Sequence, residues 1–370
     1  MREWGFGWEN LPRPILISGP CSAETLEQTL VSCQGAADAG AQMLRAGIWK
    51  PRTRPDSFEG VGKVGLAWIK AAAQQTGLPV TVEVATAEHV EAALEAGIDV
   101  LWLGARTTVN PFSVQALADA LRGVDIPVMV KNPINPDVEL WIGAFERLSK
   151  VGIRRMAAIH RGFSVKPAAP YRNRPRWEIP IDLRRRLEGL EIINDPSHIC
   201  GNRTLLQEVA QKAMDLNFDG LMIESHCNPD AAWSDAKQQI TGAQLTALMQ
   251  SLIIRRPAAE THHEIEQLGG FRDQIDALDA EIIALLGKRM EVSRDLGSFK
   301  KQHHIAILQI ERWRSLFQDC TREMTDTGLT PAFIKAYLDE LHLESIRQQT
   351  RIMNLPNDIA LPQNIHRDGV

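Results

Sequence analysis

Two hydrophobic patterns alternate along the first 250 or so residues. One is a short, unbroken apolar run. It occurs eight times, as PILISG (14–19), AQMLRAG (41–47), PVTVEV (79–84), DVLWLG (99–104), IPVMVK (126–131), RMAAIH (155–160), LEIIND (190–195) and GLMIES (220–225). Runs of this length without polar alternation read as strands buried on both faces. The other pattern places apolar residues three and four apart, as in LEQTLVSCQGAADAG, EHVEAALEAG, PFSVQALADALRG and the stretch from Glu139 to Gly152. These read as helices, several closed by a glycine just before the next strand. Strand and helix alternating eight times predicts a parallel sheet. The count of eight favours a closed (β/α)8 barrel over an open doubly wound sheet.

The pattern changes after Ile265. Phe271, Ile275, Leu278, Ile282, Leu285, Val292, Leu296 and Phe299 recur three and four apart, which predicts one amphipathic helix of about eight turns. A second helix is expected from the text ILQIERWRSLFQDCTREMTDTG, ending at Gly328. Thr330 and Pro331 look like a cap and first-turn proline opening a third, to about Met353. The expected organisation is an α/β barrel over 1–256, a polar linker at 257–264, an all-α domain over 265–353 and a tail at 354–370. Three helices bury little core, so pairing with a second copy is expected, most simply a homodimer through the helical domain.

Chemistry gathers at the strand ends, where barrel enzymes carry their reactive residues. Cys21 follows the first strand; Arg45, Lys50, Arg52 and Thr53 follow the second; Glu83 lies in the third. Arg106 follows the fourth strand, Lys131 ends the fifth, and His160 and Arg161 close the sixth. Asp195 and His198 follow the seventh; Glu224, His226 and Asp235 follow the eighth. A ring of cations at one mouth suits an anionic substrate held by charge-assisted hydrogen bonds. Cys, His, Glu and Asp beside them are of the types that bind a divalent ion. The proline-rich segment 164–180 is read as an irregular loop that can cover this face.

Charge and composition narrow the class. A net charge of −5 gives no reason to expect nucleic acid or an anionic membrane as partner. The N-terminus lacks the apolar core of a signal peptide. Five scattered cysteines fit reduced thiols, so a cytoplasmic setting is expected.

The first 256 residues resemble 3-deoxy-D-arabino-heptulosonate 7-phosphate (DAHP) synthases. The likeness rests on GPCS (19–22), LRAGIWKPRTRPDSFEG (44–60), GAR (104–106), Lys131, HRG (160–162), DPSH (195–198) and ESH followed by SDA. KPRT is the discriminating text, because the related keto-octulosonate phosphate synthases are Asn-rich there. The resemblance implies a divalent metal on Cys21, His198, Glu224 and Asp235. It implies phosphoenolpyruvate on Arg45, Lys50, Arg106, Lys131 and Arg161, and erythrose 4-phosphate against Arg52, Thr53 and Asp195. Lys50 is the candidate proton donor. A thiolate beside oxygen ligands suits Mn, Fe, Co or Zn better than Mg.

The C-terminal part resembles the all-helical chorismate mutases through 271–300, ERW near 311 and ESIRQQ at 344–349. The resemblance implies chorismate held by Arg272, Arg289, Lys300, Arg312, Ser345 and Gln349, with Arg289, Lys300 and Gln349 catalytic. Arg289 and Lys300 are eleven residues apart and share a helix face, whereas Arg272 points roughly 100° away. The family takes that Arg from the partner subunit. Gln309 and Trp313 stand where the family often has Asp and Glu, so an alternative is a helical domain that senses chorismate or prephenate without efficient turnover. Only about fourteen residues precede the first strand, so feedback control is expected to run through the helical domain, by a change in how the domains dock.

Overall fold

The computed structural model describes residues 6–8, 11–50, 58–166, 169–311 and 328–355. Arg52, Thr53, Arg312, Trp313 and most of the expected second C-terminal helix lie outside the described residues. The chain divides into two units, Met1–Pro257 and Ala258–Val370.

In the first unit eight parallel strands close in sequence order: β1 (Ile15–Gly19), β2 (Met43–Ala46), β3 (Val80–Val84), β4 (Val100–Leu103), β5 (Val128–Lys131), β6 (Met156–His160), β7 (Glu191–Asn194) and β8 (Gly220–Glu224). The barrel shuts where β1 runs beside β8, from Ile15 opposite Gly220 to Gly19 opposite Glu224. The helices are α1 (Leu26–Asp38), α2 (Val64–Thr76), α3 (Ala87–Glu95), α4 (Ala105–Thr108), α5 (Pro111–Ala120), α6 (Val138–Lys150), α7 (Glu178–Arg186), α8 (Pro196–Cys200), α9 (Leu206–Asp215) and α10 (Gly242–Ser251).

Side-chain alternation splits the core in two. Leu16, Leu44, Val82, Leu101, Val130, Ile192 and Leu221 face the helices. Ile15, Ile17, Met43, Trp102, Met129, Ile159, Ile193 and Met222 fill the barrel, and Phe6 and Trp8 join them. The Phe6 amide donates to Glu191 at the start of β7, so this plug lies at the strand N-termini and leaves the opposite mouth to polar residues. Several loops reaching that mouth end in a capping side chain. Thr25, Thr86, Asn110, Asp137 and Asp195 each accept from the first turn of their helix, worth ~1 kcal/mol apiece.

The second unit contains α11 (His262–Gln302) and α12 (Pro331–Met353). The linker expected to reach 264 is shorter, because α11 begins at His262. Thr261 caps the Glu264 amide while Glu264 reaches back to the Thr261 amide, a reciprocal box that starts the helix three residues early. Thr330 caps α12, with Pro331 in its first turn. Met290, Ser293, Gly297 and Lys300 of α11 are buried, as are Ile334, Leu338, Ser345, Gln349 and Ile352 of α12. By contrast Phe271, Ile275, Leu278, Ile282 and Leu285 are all about half exposed or more.

Candidate functional sites

The four candidate metal-binding side chains lie at the barrel mouth as two close pairs. Cys21 Sγ lies 3.4 Å from Asp235 Oδ2, and His198 Nε2 lies 3.8 Å from Glu224 Oε1. Lys50 Nζ is 2.9 Å from Cys21 Sγ, and Arg45 donates to Glu224 Oε1 at 2.9 Å. Gly47 makes this approach possible: a Cβ there would lie 2.4 Å from the Cys21 carbonyl oxygen and 2.7 Å from Lys50 Cε. Asp235 itself takes a left-handed backbone, φ 49° and ψ 34°, which Asp tolerates better than most residues.

The ionisation of these groups follows from burial and neighbours. Burial, with Glu224 next to it, pushes the Cys21 thiol up to about 12, while Lys50 pulls the other way. Burial also opposes ionisation of Glu224, but His198, Arg45 and Lys50 outweigh it and hold that carboxyl below the usual range. Asp235 is likewise held low against burial, chiefly by Arg172 and His198.

Among the described residues no three His, Cys, Asp or Glu side chains already surround one common centre. The donor chemistry nevertheless fits a divalent ion. His198 Nδ1 lies 2.8 Å from an Asp195 oxygen, a partner that fixes the ring and would leave Nε2 for a bound ion. A thiol, an imidazole nitrogen and two carboxylates make a set suited to a transition metal.

Asp195, expected to face a sugar phosphate, is wholly buried. Lys131 lies 3.1 Å from Oδ2 and His198 takes both oxygens, so its position is that of a residue orienting His198. Burial would raise its pKa, but His198 and Lys131 hold the carboxyl well below the usual range.

The cations collect beside this group. Arg45, Lys131 and Arg161 are buried, Lys50 is half-buried and Arg106 is exposed. Trp102, inside the apolar run of β4, stands between two of them. The Arg45 guanidinium lies 5.1 Å from its ring centroid and the Lys131 ammonium 5.6 Å, with the indole N–H donating to Glu83. Arg161 donates to the Gly162 carbonyl and forms no ion pair among the described residues. Burial lowers its pKa to about 10, and Arg172 and Arg106 act in the same direction. A buried guanidinium without an ion pair is unfavourable unless an anion joins it. His160 stands aside from this group. Its Nε2 lies 2.6 Å from the Pro175 carbonyl and its Nδ1 3.0 Å from Asn194; the irregular segment expected over 164–180 stops short, because α7 begins at Glu178. His226 turns to Glu24, at 3.4 Å, away from the other four.

The second site is a cavity of about 400 Å³ in the helical unit. Arg289, Ser293, Lys300, Gln309, His342, Ser345 and Gln349 supply its polar lining. Lys300 Nζ donates to Gln349 Oε1 at 3.1 Å and to the Ile307 carbonyl, and Arg289 donates to Ser345 Oγ at 2.6 Å. Burial lowers the Lys300 pKa. Gly297 lets the helices close here: a Cβ at that position would sit 3.1 Å from Gln349 Cα. Arg272 is not brought to this cavity within one chain; it is exposed on the bare part of α11.

A closed parallel barrel with reactive side chains at the strand carboxyl ends defines an enzyme of the (β/α)8 class. A family model described as the DAHP synthetase I family matches residues 10–255, and one described as chorismate mutase type II matches 271–350. The chain belongs to the DAHP synthetase I family and carries a chorismate mutase type II domain behind it, so a transferase and an isomerase domain share one polypeptide. It is 29% identical over 237 residues to the phospho-2-dehydro-3-deoxyheptonate aldolase of Thermotoga maritima, covering 64% of this chain and 68% of that protein. The crystal structure of that aldolase superposes with a TM-score of 0.58 at 27% identity, over 64% of this chain and 67% of the other. The C-terminal part is 28% identical over 91 residues to the 4-amino-4-deoxychorismate mutase of Streptomyces pristinaespiralis, covering 25% of this chain and 67% of that protein. A 2-dehydro-3-deoxyphosphooctonate aldolase of Desulfatibacillum aliphaticivorans is 26% identical over 275 residues, covering 66% and 93%. No helix among the described residues is long and apolar enough to cross a membrane.

Proposed function

We propose that the barrel condenses phosphoenolpyruvate with erythrose 4-phosphate to DAHP and phosphate, and that the helical domain rearranges chorismate to prephenate. The carrying observation is the gathering of Cys21, His198, Glu224 and Asp235 beside Arg45, Lys50, Lys131 and Arg161 at one mouth. Two anionic substrates need such cations to offset their repulsion and hold their carbons in register.

In this reading Arg45, Lys50, Arg106, Lys131 and Arg161 receive phosphoenolpyruvate, and Arg52 and Thr53 receive the phosphate of the aldose. Asp195 serves the same mouth by fixing His198. Cys21, His198, Glu224 and Asp235 hold a divalent metal, Mn, Fe, Co or Zn. When bound, that metal polarises the aldehyde carbonyl as a Lewis acid. C3 of phosphoenolpyruvate forms the new bond to the aldehyde carbon, and Lys50 gives its proton to the resulting alkoxide. Water then adds at C2 and phosphate departs.

In the helical cavity Arg289 grips a chorismate carboxylate. Lys300 and Gln349 face the ether oxygen, where charge develops as the bond breaks. Ser345 holds Arg289, Arg312 completes the binding set, and Arg272 comes from a second copy. The apolar stripe from Phe271 to Leu285 supports that pairing, since each such side chain is worth roughly 1.5–3 kcal/mol when covered. The helical domain also lowers synthase activity when chorismate or prephenate is bound.

Both assays on the whole protein test the reading. Chelation should abolish the first activity and spare the second, and prephenate should inhibit the first. Turnover of arabinose 5-phosphate in place of erythrose 4-phosphate would assign the barrel to the octulosonate branch instead.

A further inference from the structure

The segment that follows Asp235 carries two glutamines, Gln238 and Gln239, that are almost completely buried. Gln239 Oε1 accepts from the Cys21 amide and its Nε2 donates to the Ser234 carbonyl, both at 2.9 Å. It ties the loop after β1 to the loop after β8. Gln238 reaches the other way. Its Nε2 donates to Glu224 Oε2 at 2.7 Å, and its Oε1 accepts from Arg172 at 2.8 Å. The amide orientation is forced, because the carboxylate can only accept and the guanidinium can only donate.

The same Arg172 nitrogen donates to Asp235 Oδ1 at 2.9 Å. A continuous bridge therefore runs Asp235, Arg172, Gln238, Glu224. It occupies Asp235 Oδ1 and leaves Oδ2 facing the Cys21 sulfur at 3.4 Å. It also occupies Glu224 Oε2, while Oε1, held by Arg45 at 2.9 Å, lies 3.8 Å from His198 Nε2. Arg172 is itself fixed. Its amide bonds to the Ile199 carbonyl, and its stem lies over Gly201, where a Cβ would come within 2.5 Å of Arg172 Cβ. Next to it Asn173 donates to the His198 carbonyl at 2.7 Å.

We propose that Gln238 and Arg172 are positioning residues that act as one unit, turning one oxygen of each carboxylate toward the thiol and the imidazole before a metal arrives. The inference rests on the metal reading of Cys21, His198, Glu224 and Asp235. Outer-shell partners of this kind set affinity through ligand orientation, and losing one typically costs 10–100-fold.

The test uses the full chain and Mn²⁺ alone, with free Mn²⁺ read by electron paramagnetic resonance. Gln238→Leu and Arg172→Ala should each weaken Mn²⁺ binding 10–100-fold while the barrel's melting transition and the chorismate mutase rate stay put. The double variant should be no more than about threefold weaker than the weaker single one, because the second change removes a bridge already broken. At saturating Co²⁺ the d–d absorption bands of either variant should differ from the wild type, a readout that a packing role would not move. Effects that multiply in the double variant would overturn the unit. If Gln238→Leu does not fold, Arg172→Ala decides, since that side chain is 45% exposed; a folded Arg172→Ala with wild-type affinity ends the proposal. Wild-type protein that takes up no Mn²⁺ would end the metal reading and this inference together, whereas tight wild-type binding with unchanged variants would remove the bridge alone.

Discussion

The Lys50 ammonium lies 2.9 Å from the Cys21 sulfur, and Gly47 is what lets them meet. A methyl group at residue 47 would intrude on both partners at once, one contact being a backbone oxygen that cannot swing aside. Gly47→Ala should therefore lower synthase kcat/KM by at least about tenfold, since angstrom-scale misplacement of a reacting group alone can cost ~100-fold. Chorismate mutase activity of the same protein should not change. Steady-state assays of both reactions on one preparation check this.

Lys300 carries the corresponding weight in the helical unit. Its ammonium is buried, held by Gln349 and the Ile307 carbonyl, and aimed into the cavity. Removing a donor placed for developing charge typically costs 10²–10³ in kcat. Lys300→Ala should show that loss in chorismate consumption by absorbance, with the synthase rate in the absence of effector retained. An unchanged mutase rate would leave the domain as a sensor only.

The exposed stripe on α11 predicts assembly. Leu278 and Ile282 are 59% and 48% exposed within one chain. Leu278→Asp combined with Ile282→Asp should halve the mass found by sedimentation. Mutase activity should fall with it, because Arg272 of the partner subunit would be lost from the cavity. Synthase activity without effector should persist.

His160 predicts a pH effect on stability. Burial lowers its pKa to about 4, with both ring nitrogens engaged by Pro175 and Asn194. The unfolded chain, with an ordinary imidazole near 6.5, then binds the proton more readily than the folded one. Stability from this residue is complete above about pH 6.5 and drains away as pH falls toward 4, by about 1.4 kcal/mol per pH unit. Denaturant titrations at pH 7 and pH 5 should show the wild type losing more than His160→Gln; parallel losses would refute it.

Much of this was legible in the chain because of how parallel barrels are built. Strands such as VLWL and VMVK are buried on both faces, so they appear as unbroken apolar runs, and the polar residue that ends each run marks the mouth. Lys131 and Glu224 end such runs, and Cys21 and His198 lie just past them. Arg172, Gln238 and Gln239 have no such signal, because they lie between strands and most of their partners are 14 to 218 residues away, and no periodicity announces such a contact. Trp102 lies in an apolar run and its ring is core; only the cations on either side give it a second part. Asp195 stood beside His198 in sequence, and whether it faced a ligand or the imidazole needed coordinates. The early start of α11 did have a signal, the spacing of Thr261 and Glu264, which the neighbouring proline and polar residues obscured.

Crystals of the full chain grown with Mn²⁺ and measured at the manganese edge should give one strong anomalous peak per barrel, within bonding reach of Cys21, His198, Glu224 and Asp235. A peak elsewhere, or none at that mouth in protein that retains chelator-sensitive synthase activity, would contradict the metal reading.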